Sequence, residues 1–200
     1  MRYHELLLEM PKLIHATDFM LMDDTTNKQL ATRLLGMDGE KDVIEETNEY
    51  ILFKVGNNEA GHITLIDKHK QRVDYWVYYE AKSIPVTGNA VTQVALWRRL
   101  GSLYVVDVTK RVFFDYLLKH WHSVMSDGSQ TEQGKYFWMD VMGRAEKKGL
   151  KVSFVNLDTG VINWFDNTVE EYEEWIDRHQ YAWGRSSSHK SLRFLITNER

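Results

Sequence analysis

Apolar residues broken by isolated polar ones make up two adjoining runs, "EYILFKVG" and "EAGHITLID". Asn57 and Asn58 stand between them, so the expected reading is two strands joined in a hairpin. "RVDYWVYYEAKSI" is rich in aromatic and β-branched residues. After the turn material "PVTGN", "AVTQVALWRR" repeats that character, giving four strands in succession. Short turns between them predict an antiparallel meander. The acidic stretch before them, "KDVIEETN", fits neither the helical nor the strand period.

A helical period takes over at "DVTKRVFFDYLLKHW", where Val112, Phe113, Tyr116 and Leu117 share one face and Asp107 or Thr109 can cap. "SVMSD" has the length of a buried strand. "TEQGKYFWMDVMGRAEKKG" puts Phe137, Val141 and Ala145 on one side of a second helix, which Lys147, Lys148 and Gly149 end. "LKVSFVNLDTGVINWF" reads as strand, turn around Asp158 to Gly160, and strand. Thr168 and Glu171 have capping-box spacing ahead of Val169, Tyr172, Trp175 and Ile176, which predicts an acidic helix near 168 to 179. In the tail, "LRFLI" follows a polar linker and reads as an edge strand. Before the meander, a short helix over 3 to 9 ends ahead of Pro11. "HATDFMLMDD" then alternates weakly, and a helix capped by Asp24, Thr25 or Thr26 runs through Leu35 to Gly36 and Gly39.

Two hundred residues predict one domain over 1–200: an N-terminal helical extension over 1–47, a core over 48–165, and a C-terminal helix and tail over 166–200. The 43% hydrophobic content, with 8 Phe, 7 Trp and 10 Tyr, is that of a chain that folds. A net charge of −4 gives no general attraction to nucleic acid or to an anionic membrane. Without cysteine there is no disulfide framework or thiolate zinc site, and a cytoplasmic setting is expected. No apolar run approaches the ~20 residues that span a bilayer, and acidic residues flank the leucines of "MRYHELLLEMPKL", unlike a signal peptide. HExxH, GxSxG and GxxxxGK[ST] are all absent. His120 and His122 lie too close in sequence to face one another on a helix, so their spacing predicts helix-end cations and no metal site.

The order β-β-β-β-α-β-α-β-β resembles the GNAT superfamily of N-acetyltransferases over roughly residues 48 to 165. The resemblance implies an α/β (α+β) fold with a mixed, mostly antiparallel sheet flanked by helices, acetyl-CoA as cofactor, and an amine-bearing acceptor. In that family a glycine-rich loop and a helix N-terminus hold the cofactor pyrophosphate, as donors and dipole suit an anion. Here "VTQVALWRRLGSLYVVDVTKRVF" stands in that place, with "DVTKR" instead of the glycine-rich turn. The resemblance thus assigns cofactor contacts to Trp97, Arg98, Thr109, Lys110 and Arg111.

Thr131, Gly134, Phe137 and Trp138 follow the spacing of a second family motif and add Trp138 to the cofactor set, with an indole where many members carry an acidic phenol. Glu80 and Asp74 are the carboxylates implied as the general base for the amine. Each has a structural reading beside the chemical one: solvated strand carboxylates, first-turn cations, a core tryptophan. The alternative function is a catalytically inactive GNAT-like binding or assembly protein with a protein partner. The tryptophan-rich, cysteine-free chain also resembles phage-borne proteins of structural or host-interaction type.

Overall fold

Asp23 opens the first helix. Its carboxylate accepts the Thr26 amide at 2.7 Å and caps α1 (Asp24–Leu35), one residue before the capping positions expected from the sequence. The computed structural model describes residues 23–37, 41–84, 88–99, 101–105, 107–127, 132–179 and 191–198. The helix expected over 3 to 9, the alternation before Asp24, Gly39, Thr131 and most of the polar linker lie outside them. Gly36 ends α1 as its C-cap.

Strands β1 (Lys41–Glu46), β2 (Tyr50–Gly56), β3 (Ala60–Asp67), β4 (Arg72–Ile84) and β5 (Gly88–Arg98) follow. The α2 helix is built from three consecutive stretches: α-helical Val108–Lys110, π-helical Arg111–Leu117 and α-helical Leu118–Trp121. The widened middle is seen where the Leu118 amide reaches back five residues to the Phe113 carbonyl. Then come β6 (Ser123–Ser126), α3 (Glu132–Lys147), β7 (Lys151–Asn156), β8 (Ile162–Trp164), α4 (Tyr172–Arg178) and β9 (Leu192–Thr197). The architecture is α+β with an open, mixed, mostly antiparallel sheet. Among the described residues no helix is long and apolar enough to cross a membrane.

The chain divides into two compact units, Met1–Glu80 with Gln93–Thr109, and Ala81–Thr92 with Lys110–Arg200. In the first, β1, β2, β3 and β4 form an antiparallel meander, with Asn57 holding the β2–β3 hairpin by accepting the Glu59 and Ala60 amides. Helix α1 lies on one face, where Leu30, Ala31 and Leu34 pack with Ile51, Phe53, Val55, Trp76 and Trp97. Asn27 fixes the helix to β4: its side-chain amide donates to the Val73 carbonyl at 3.2 Å and accepts the Val73 amide at 2.8 Å. The next residue, Asp74, has no partner on β3, because Leu65 pairs with Tyr75 and Ile66 with Val73; it is the extra residue of a β-bulge.

In the second unit β9 lies between β6 and β7 and pairs antiparallel with both. This corrects the edge-strand expectation. Phe194, Leu195, Ile196 and Thr197 are all buried, the continuous burial of a strand covered on both faces, and the short run carries no sign of it. Helix α3 ends as expected at Gly149, whose positive φ of 74° closes the last turn. The capping box ahead of α4 does not form. The Thr168 amide and hydroxyl both donate to Asp166 in a local turn, so the helix begins only at Tyr172 behind Glu171.

Candidate functional site

Among the described residues of the connection from β5 to α2, Gly101 at φ 77° and Asp107 at φ 63° are left-handed. Glycine adopts that region freely, whereas an aspartate there is uncommon. Asp107 thus supplies, immediately before α2, a turn that glycine ordinarily supplies. Thr109 sits in the first turn with its side chain buried.

Tyr75, on β4 beside the bulge, is completely buried and interacts with Thr109. Neither hydroxyl has a hydrogen-bond partner of ordinary geometry, and the same holds for Ser102 in the loop. Burial pushes the Tyr75 phenol well above its usual range, while Thr109 and the positive charge of exposed Arg98 act in the opposite direction. Arg98 and Thr109, two of the residues implied for the cofactor, thus both influence the Tyr75 phenol, a residue that sequence reasoning missed.

Asp74 is fully buried. Its Oδ1 takes the Arg72 Nε at 2.8 Å and faces the Arg99 Nε at 3.3 Å, while the Arg99 amide donates to the Asp74 carbonyl. Arg99 also reaches Asp24 at 3.5 Å and lies over the Trp97 ring, 5.7 Å from its centre. The carboxylate therefore sits between two guanidinium groups. Trp97 is packed in the cluster under α1. Arg99, the second residue missed, binds these two sites together.

Glu80 lies on the face of β4 that also carries Trp76 and Tyr78, and its Oε1 accepts from the Tyr78 hydroxyl at 3.1 Å. Opposite Tyr78 on β3 stands His62, with Thr64 opposite Trp76. The His62 ring centre is 5.0 Å from Trp76 and 5.2 Å from Tyr78. Both His62 nitrogens and the Thr64 hydroxyl are buried without a partner. Burial lowers the His62 pKa to about 4, so the ring is neutral at neutral pH. The "GHITL" alternation put His62 on a sheet face; that α1 and the aromatic residues bury this face was not legible.

The remaining expected residues belong to the second unit. Lys110 and Arg111 are half-buried at the start of α2. Trp138 is buried against Phe113 at 5.6 Å, Phe137 at 6.0 Å and Phe194 at 6.3 Å. His120 Nδ1 lies 2.8 Å from the Tyr116 carbonyl, and no group of three or more metal-binding side chains exists among the described residues. No family model, no curated protein and no solved structure matches this chain.

Proposed function

We propose that the chain is an acyl-CoA-dependent N-acyltransferase of the GNAT type, with its cofactor at the start of α2. The observation that supports this reading most is the left-handed Asp107 ahead of Thr109, whose buried hydroxyl, like that of Tyr75, has no hydrogen-bond partner of ordinary geometry. A turn of this kind ahead of a helix start, hydroxyl donors and a cation are suited to an anionic group. Lys110 and Arg111 follow in the chain and keep the phosphate-binding role that the resemblance gives them. Bound acetyl-CoA supplies the activated acyl thioester. Of the two carboxylates that the resemblance implies, Asp74 is committed to two arginines, so the role of proton acceptor for the amine goes to Glu80.

Calorimetric titration of acetyl-CoA into the full chain tests this. The expected result is micromolar binding, weakened at least tenfold by Arg98→Ala with Thr109→Val. Absence of binding by folded protein at millimolar cofactor refutes it. One feature favours the second reading, a binding or assembly protein. A groove of about 510 Å³ between α3 and α4 is lined by Asp140, Glu146, Glu170, Glu171 and Glu173 against Arg144 and Lys147, a surface suited to a basic partner. Under that reading acetyl-CoA does not bind and a partner co-purifies in fixed ratio.

A further inference from the structure

The face of β3 and β4 that carries Glu80 contains more unsatisfied hydrogen-bonding capacity than a structural role explains. Native proteins pair most of their buried polar atoms. Yet three polar atoms, His62 Nδ1, His62 Nε2 and Thr64 Oγ1, are buried two residues apart on one strand face with no partner, and one of the two nitrogens of a neutral imidazole is an acceptor. A hydrophobic residue at either position would fill the same space without that cost. The surroundings narrow the chemistry that would meet these atoms. Trp76 and Tyr78 lie nearly parallel, 6.4 Å apart and inclined by only 13°, with the His62 ring close to both. Tyr78 is half-buried and hydrogen-bonded to Glu80, which is half-buried too. The face thus grades from a carboxylate, through a phenol and π faces, to a neutral imidazole and a hydroxyl.

We infer that this face is a binding site for a small organic ammonium ion. An ammonium group is attracted by the Glu80 charge and by the faces of the aromatic rings. Its N–H bonds need acceptors, which the uncharged imidazole and the threonine hydroxyl offer. An anion would meet the Glu80 charge, and a neutral apolar molecule would leave the acceptors unsatisfied. The inference rests on this geometry and does not depend on acyl transfer.

The test is a calorimetric titration of the full chain at pH 7.5 with n-butylammonium chloride, with 1-butanol as the uncharged analogue and sodium chloride to control ionic strength. Saturable binding in the millimolar range is expected for the ammonium ion, with the alcohol at least tenfold weaker. Glu80→Gln and His62→Phe should each weaken it tenfold or more. The Glu80 change is partly exposed and conservative, so it keeps the test open should the core variant fold poorly. Equal affinity for the alcohol overturns the proposal, as does wild-type affinity in Glu80→Gln, or no saturable heat at tens of millimolar. Acetyl-CoA binding is measured on the same variants, so the failure of one reading is distinguishable from that of the other.

Discussion

His62 makes the stability of the fold depend on pH in a direction and size that follow from its burial. Its folded pKa is about 4 against an ordinary value of 6.5, and desolvation of the charged ring is the cause. Between these values the unfolded chain binds a proton that the folded chain does not, so stability falls as pH falls through this window and is fully present above 6.5. From pH 7.5 to pH 4.5 the linkage relation gives a loss of about 2.5 kcal/mol from this one ring.

His62→Phe removes the titration and keeps an aromatic ring at the site. Urea unfolding of both proteins at pH 7.5 and 4.5 isolates the term, because the remaining carboxylates and histidines contribute equally to each and cancel in the difference. The variant should gain about 2 kcal/mol on the wild type as the pH is lowered. Equal pH dependence of the two proteins, within about 0.5 kcal/mol, would show that His62 is hydrated in the folded state and refute the reasoning.

Two further outcomes are expected. Tyr75→Phe removes a buried hydroxyl without a partner and should leave the melting temperature unchanged or raise it, by about 1 kcal/mol of stability. Tyr79→Phe loses a 2.7 Å bond to the Asn57 carbonyl and should cost about 1 kcal/mol, and the reverse ranking in thermal unfolding would contradict this assignment. Gly61→Ala places a Cβ 2.4 Å from the Val55 carbonyl oxygen and 2.6 Å from the Tyr79 hydroxyl, so the β2–β3 pairing must shift, and urea unfolding should show a loss of about 2 to 3 kcal/mol.

Much of the strand pattern was legible because the runs of the meander are rich in aromatic and β-branched residues and are separated by turn residues, as at Asn57. Elements defined by their neighbours were not. Lys41–Glu46 carries charges on both faces, and it is a strand because it pairs with β2, with Asp42 meeting Lys54 at 3.6 Å and Lys41 bonding the Leu35 carbonyl. The inner place of β9 likewise depends on β6 and β7, and nothing in "LRFLI" distinguishes an edge from an interior strand. At the candidate site, Arg98, Thr109 and Glu80 could be named through the family resemblance. Tyr75, Arg99 and His62 could not, since their roles come from the bulge at Asp74 and from the burial of the two faces of β4. A bulge is an offset between two strands, and a single strand's period does not carry it.

That bulged strand also explains why the two proposed sites are separable. Trp76, Tyr78 and Glu80 point to one face of β4, and Tyr75, between bulge and Trp76, points to the other. The unsatisfied polar atoms follow this division, with His62 and Thr64 on the first face and Tyr75 with Thr109 on the second. A sequence selected for packing alone would have placed apolar residues at these positions, and conflicts between local choice and stability gather where a protein uses them. Because the two sets share a backbone but no side chain, Glu80→Gln is expected to weaken ammonium binding and spare acetyl-CoA binding, whereas Arg98→Ala with Thr109→Val weakens acetyl-CoA binding at the start of α2. Variants that impaired both kinds of binding equally would point to one structural defect in β4, and loss of one with retention of the other would identify two sites on a single strand.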